Sequence, residues 1–598
     1  MFQLRQLRMP CAVAALVAAA LAPTASAQTF TPAELSRAGH VLRRMQHGAS
    51  IFDYGQVLPS STATQTTNIV NYILAKSGAT PLPAGSEATS LLGAYPFPVA
   101  VGMAVPSAPG FVPQSASTGW AIQELAEANI VRAIWSEDTL REVMTRFWQE
   151  HFNTSWHALN GYLQKRLQAE GYANYATLGP QYATYFEWQQ NDLFRLNAMG
   201  NFRALLEVSA KGPAMMIYLD TVSSQAPEPN QNYARELFEL HTMGRISPLP
   251  TPLGAVWYPN YSYDDIIAGA AAFSGWTLTN TSVQPAAPNF VFSFLNTTCP
   301  NTTGHVAACP PGTKTLFNAS YVNPLVGVAT IPESHTTSSE GDALLDHLAN
   351  SPATAYFVSK KLYRLFIQDV EPDPFDPLLL NCLTAWGTQP GGNIQAVLHT
   401  LLSSNEFLND TSKRWANERQ PIEAAAQTAD LFHGIAFNSS SSNAQNKARI
   451  AHVRVLIEEH GGQYLFRYGP PDGFTRGDSA LLTTYRVLGA TKLRQELYSL
   501  FGAFTTAFPS VFFDYLTHLT FIDWFSEASI MNWFHLIGQN NEQSGGDSSL
   551  TYMFLLTDMS GAIGNTLLTD FLNNLPVYIQ RVTTGLSFLA SHPLNNLK

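Results

Sequence analysis

Asn230-Gln231-Asn232-Tyr233-Ala234-Arg235-Glu236-Leu237-Phe238-Glu239-Leu240-His241-Thr242-Met243-Gly244 sets amide, guanidinium, carboxylate and imidazole groups within one run of helix-forming residues. Read as a single α-helix over about 230–243, a rotation of about 100° per residue sorts these side chains. Asn232, Arg235, Glu236 and Glu239 fall on one polar arc, and Tyr233, Leu237, Phe238, Leu240 and His241 on the apolar side. Glu239 and His241 then point almost oppositely and cannot chelate one metal from an unbroken helix. Glu236 and Glu239 can, because i,i+3 is the spacing with which helix bundles present metal-binding carboxylates. The bland alternative is an Arg235–Glu239 ion pair at i,i+4, with Asn230, Asn232, Arg235 and His241 serving structure alone.

Outward from this run the periodicity is mostly helical, over roughly 120–157, 158–197, 199–219, 262–275, 340–349, 352–367 and 393–405. Pro421 opens a further helix through Leu431. Residues 76–118 are rich in Pro, Gly, Ala and Ser and read as an irregular connection. The pattern breaks over 277–333, where Val291–Phe294 and Leu325–Ile331 read as short strands or extended loop. The expected fold is mainly α, a multi-helix globular structure with a small β or irregular insertion near 277–333. Residues 28–495 form the main helical domain, and the aromatic-rich 496–598 read as helical and packed upon it.

In the segment Phe147-Trp148-Gln149-Glu150-His151-Phe152, His151 shares a helical face with Met144 and Phe147. A lone histidine on such a face is ordinarily a hydrogen-bonded core residue. The functional alternative makes His151 a metal ligand or general base, joined by His157 or by an acid from another helix.

Residues 1–27 carry the pattern of a secretory signal. Arg5 and Arg8 precede an apolar run, Cys11–Ala22, too short to span a bilayer, and Ala25-Ser26-Ala27 offers a cleavage site before Gln28. Loss of those two arginines takes the formal charge from −11 to −13, which argues against a partner held through nucleic-acid phosphates. No later stretch has the length and lack of charge of a membrane span. The expected product is exported, periplasmic or extracellular. In such a compartment Cys299 and Cys309, which bracket a Pro-, Asn- and Thr-rich loop, are natural disulfide partners. Cys382 sits in an apolar helical stretch and is expected to stay a buried free thiol.

Several chemistries lack their motif. The chain has no Gly-x-Ser-x-Gly elbow, Ser-x-x-Lys, His-Glu-x-x-His or phosphate-binding glycine loop. Adjacent carboxylates such as Asp264-Asp265 and Glu458-Glu459 point to different sides of a helix and do not make a glycosidase pair.

Taken in order, the segments resemble a bacterial family known as domain of unknown function 1800. The resemblance is carried by His40–Arg44, Phe147–Phe152, Pro213–Asp220, Asn230–Gly244, Tyr263–Trp276, Ser351–Ala355 with Lys361-Leu362, Leu402–Phe407, Gln463–Phe466 and Pro470–Gly473. Together these span about residues 35–495. The resemblance implies export and a helical fold, and it brings no established activity. Three departures stand out. Gln149 replaces the first histidine of the family's His-Asn-His, and Gln231 an acidic residue between the signature asparagines. Of the family's His-Asp and Gly-x-Lys stretch, only Gly312 and Lys314 have counterparts. Any metal or acid–base chemistry at those positions would be altered in this chain.

Two classes of function follow. One is an exported binding or assembly protein, with a protein or polymer partner, whose polar signature locks helices together. The other is an exported enzyme dependent on a divalent or transition metal, using Glu236, Glu239 and His151 as ligands or catalytic groups.

Overall fold

The structure is a computed structural model. It describes residues 121–474, with gaps at 137, 226–228, 253, 283, 285, 296–311, 335–336, 414–416, 418 and 432–442, and scattered positions within 37–47, 91–97 and 489–497. The signal segment 1–27, Cys299, Cys309 and the C-terminal 498–598 lie outside the described residues, so the disulfide expected of that pair does too.

Helices dominate. In chain order they are α1 (Ile122–Trp135), α2 (Thr139–His151), α3 (Trp156–Ala169), α4 (Tyr175–Asn197), α5 (Phe202–Lys211), α6 (Pro213–Tyr218) and α7 (Asn232–Glu236). After the hairpin β1 (Ile246–Thr251) and β2 (Gly254–Pro259) comes α8 (Tyr263–Ala272). Two short hairpins follow, β3 (Trp276–Asn280) with β4 (Phe290–Phe294) and β5 (Lys314–Leu316) with β6 (Ala329–Ile331). The remaining helices are α9 (Ser339–Asn350), α10 (Pro352–Phe366), α11 (Pro377–Trp386), α12 (Ile394–Leu402), α13 (Asn405–Leu408), α14 (Pro421–Leu431) and α15 (Asn443–Gly461).

Local chemistry fixes the boundaries. Asp138 caps α2 by accepting from the Arg141 N–H, and its other oxygen binds Arg141 Nε at 2.8 Å. Ser262 and Asp265 form a reciprocal capping box at the start of α8. Ser351 caps α10, with Pro352 in the first turn where its missing N–H costs nothing. The buried apolar side chains join in one core, and α3 with α4, α10 with α11, and α1 with α14 and α15 pack as neighbours.

The mainly helical class with small β insertions is what the periodicity indicates. Strand β4 covers the expected Val291–Phe294, whereas only Ala329–Ile331 of the second expected strand pairs. The hairpin at Ile246–Pro259 lies outside the expected insertion, and its prolines hide it in the sequence. Cys382 is buried and free. Among the described residues no helix is long and apolar enough to cross a membrane.

Candidate functional site

The signature does not continue as one α-helix. Helix α7 ends at Glu236 and the chain passes into a π-helical turn, Leu237–His241. A π turn takes in one more residue than an α turn, so side chains beyond Leu237 lag the phase expected of them. Thr242 stabilises the wide turn by donating its hydroxyl to the Leu237 carbonyl at 2.6 Å. Gly244 then reverses the chain, its N–H donating to the Phe238 carbonyl at 3.0 Å. Its φ of +73° and a Phe357 ring carbon 2.7 Å from where a Cβ would stand leave no room for a side chain. At the other end, Asn230 Oδ1 accepts from the Asn232 N–H at 2.8 Å and so starts the helix.

The π turn delivers His241 into the core beside the end of α2. His151 Nε2 lies 2.9 Å from the His241 carbonyl, and His151 Nδ1 lies 3.0 Å from Lys361 Nζ on α10. A carbonyl can only accept, so Nε2 carries the proton and Nδ1 accepts from the lysine. Lys361 also reaches the Leu240 carbonyl at 3.5 Å and stands 4.9 Å over the Phe357 ring. Aromatic rings of Phe147, Trp148, Phe152, Phe202 and Phe357 enclose His151.

Burial and the neighbouring lysine hold the His151 imidazole well below its usual range, and the same causes bring His241 to about 3. Both histidines are therefore neutral at physiological pH. Burial, aided by Lys360, lowers the Lys361 amine to about 8, against the pull of Asp472 and Glu150. No carboxylate among the described residues forms an ion pair with it. Neither ring nitrogen of buried His241 has a hydrogen-bond partner among the described residues.

The loop that closes the centre comes from far along the chain. The Asn153 amide donates to the Pro470 carbonyl at 2.6 Å, Trp156 N–H to the Phe466 carbonyl at 2.9 Å, and Tyr218 OH to the Gly469 carbonyl. Gly473 has a φ of +74°, and a Cβ there would stand 2.3 Å from the Glu150 carbonyl oxygen. The segments 147–156, 213–220, 230–244, 361 and 463–473, dispersed in sequence, thus meet at one place. Beneath them is a buried carboxyl that sequence reading missed. Glu187 on α4 accepts from Thr154 Oγ1 at 2.8 Å, and burial pushes it up to about 8.

Glu236 and Glu239 lie at the outer side of this centre. Burial, then the charges of Glu239 and Asp472, raise the Glu236 carboxyl. Glu239 accepts from Tyr261 OH at 2.9 Å and lies 3.7 Å from Arg245 Nε. The alternative Arg235–Glu239 pair does not form, and Arg235 is exposed. His157 is also exposed, edge-on to Trp156. Gln149 Oε1 accepts from Asn191 at 3.3 Å, and Gln231 is half-buried ahead of α7. Lys314 is committed to a buried ion pair with Glu340. Among the described residues no group of three His, Cys, Asp or Glu side chains is placed to hold a metal ion.

Lys361, Tyr218, Glu150 and Asp472 are the neighbours that a reading of one helix at a time could not select. Their signal was present only as the shared order of the family-like segments. A family model described as protein of unknown function (DUF1800) matches residues 13–573. The chain belongs to that family, and the match extends beyond the 35–495 covered by the individual motifs. No curated protein and no solved structure matches the chain.

Proposed function

We propose that this chain is an exported binding or assembly protein whose signature segment is an internal clamp. One observation carries the reading. The Leu240 and His241 carbonyls of the signature are tied by Lys361 and His151 to the scaffold, while the hairpin leaving it turns Ile246, Val256 and Trp257 to solvent. A histidine with both nitrogens engaged and a lysine bound to it and to a helix-end carbonyl join α2, the π turn and α10. Pro248 is buried and Leu249 half-buried, but the outer strand is exposed from Gly254 to Trp257, and adjoining exposed apolar side chains are the mark of a contact surface.

The enzyme reading keeps one supporting observation, the half-buried Glu236 with Glu239 and Asp472 close enough to raise its carboxyl. Melting of the mature protein, made without a His tag, separates the two. Saturating zinc, manganese or calcium is expected to leave the Tm unchanged, because a ligand held by the native state alone must raise it. A rise that Glu236→Gln or His151→Gln abolishes overturns the binding reading. Export is checked by N-terminal sequencing of protein from the periplasm or medium, which is expected to begin at Gln28. Retention of residues 1–27 on cytoplasmic protein overturns that part.

A further inference from the structure

We infer that the outer edge of β2 pairs with the same edge of a second copy of this chain, joining two hairpins into a four-stranded antiparallel sheet. The inference rests on the binding reading and supplies its partner.

The register of the hairpin shows which backbone groups are free. β1 and β2 pair as Ile246↔Pro259, Ser247↔Tyr258, Pro248↔Trp257, Leu249↔Val256, Pro250↔Ala255 and Thr251↔Gly254. One step further out, the Asn260 N–H donates to the Arg245 carbonyl at 2.9 Å. Opposed residues in an antiparallel ladder alternate between hydrogen-bonded and non-hydrogen-bonded pairs. Ser247, Leu249 and Thr251 therefore bond inward, and Pro248 and Pro250 face outward from β1. On β2 the outward residues are Ala255, Trp257 and Pro259.

The two edges differ accordingly. On the outward side of β1, Pro248 and Pro250 have no N–H to offer, which is how natural sheets blunt an edge. The β2 edge keeps the N–H and C=O of both Ala255 and Trp257, unbonded among the described residues. All of β2 but Tyr258 is exposed, including Val256 at 41% and Trp257 at 43%. A strand can add to β2 and to no other edge of this hairpin.

Charge and symmetry select a second copy as the occupant. The whole chain carries a formal charge of −11, yet 246–259 contains no charged residue, so two copies can meet there without confronting like charges. An antiparallel pair of identical strands is self-complementary about a two-fold axis. With the axis at Val256, Ala255 exchanges both backbone hydrogen bonds with Trp257 of the second copy, and Trp257 with its Ala255. Val256 faces Val256 across a close, non-hydrogen-bonded pair. Because the other edge is proline-blocked, addition stops at two copies.

The contact is small, so the dimer should be weak, with a Kd on the order of 10 µM or above. Sedimentation of the mature chain over a concentration series is expected to show a monomer–dimer equilibrium. Trp257→Lys and Ala255→Pro should each raise its Kd at least tenfold with unchanged circular dichroism. Val256→Cys should give a reducible dimer under mild oxidation, and Leu249→Cys, which faces inward in the ladder, should not. A chain that stays monomeric near a millimolar, or dimers that both edge variants leave intact, overturn the pairing. Another protein's strand on this edge in place of a second copy also overturns it. None of these outcomes bears on metal-dependent melting, which tests the binding reading separately.

Discussion

The signature segment and the hairpin that follows it are adjacent in sequence and opposite in chemistry. From Asn230 to Gly244 the chain takes the His241 imidazole and backbone polar groups into the core, where the His241 and Leu237 carbonyls are bonded by His151 and Thr242. From Ile246 to Pro259 it carries isoleucine, valine and tryptophan out into solvent. Hydrophobicity alone would place these two stretches the other way round. A polar group goes inside when enough partners meet it from other elements. An apolar strand stays outside when nothing in its own chain covers it.

If the centre is a clamp, its most crowded contact should be its most sensitive. Gly473 combines left-handed backbone with a Cβ position 2.3 Å from the Glu150 carbonyl, which cannot swing aside as a side chain could. Gly473→Ala should cost about 2–5 kcal/mol, the sum of backbone strain and overpacking. Denaturant unfolding measures the loss, and proteolysis should cut first at 468–474. An unchanged midpoint would show the loop to be independent of α2.

Glu187 gives the next largest effect and a pH signature. Burial lifts its folded pKa to about 8, above the ordinary carboxyl value of 4.5. The stability it contributes as a neutral acid is full below 4.5 and is lost as pH rises to about 8. Glu187→Gln keeps the shape and removes the titration. The variant should lead the parent by roughly 2–3 kcal/mol at pH 7, and the parent's decline between pH 4.5 and 8 should flatten. Parallel stability curves would mean that Glu187 is ionised.

Lys361 has the opposite sign. Its amine falls from 10.5 to about 8 on folding, so the folded chain sheds a proton that the unfolded chain still holds between those values. Stability should climb with pH through that window, up to about pH 10, where tyrosines whose ionisation burial opposes begin to act against it. Lys361→Met should remove a rise of about 1–2 kcal/mol between pH 8 and 9.5. A rise that survives the substitution places the titration elsewhere.

The helical class and most helix positions were legible in the sequence because period, caps and prolines are local signals. The centre was only partly so. His151 was recognisable as a buried or functional histidine, but its partners come from residues 90 and 210 positions away in the chain. A single helical wheel assumes one phase, and the π turn at Leu237 broke that assumption where the site begins. Arg235 reads as a member of an ion pair and is instead exposed, because Tyr261 and Arg245 reach Glu239 from beyond the helix. The hairpin went unread because Pro248, Pro250 and Pro259 look like loop, although register places all three where no ladder N–H is needed.

The smallest effect belongs to the hairpin, and its smallness is the point. Trp257 is 43% exposed and lies on the outer strand, so Trp257→Lys removes few contacts within its own chain. Surface substitutions of this kind change stability by about 0.5 kcal/mol or less. Unfolding of the lysine variant at micromolar concentration should therefore match the parent, while association through the edge is lost. A loss above 1 kcal/mol in the monomer would mean that Trp257 is packed against this chain after all. The hairpin would then belong with the core, and the contrast with the signature would disappear. A preserved midpoint with lost association keeps the two regions apart, one holding the fold together and the other meeting its partner.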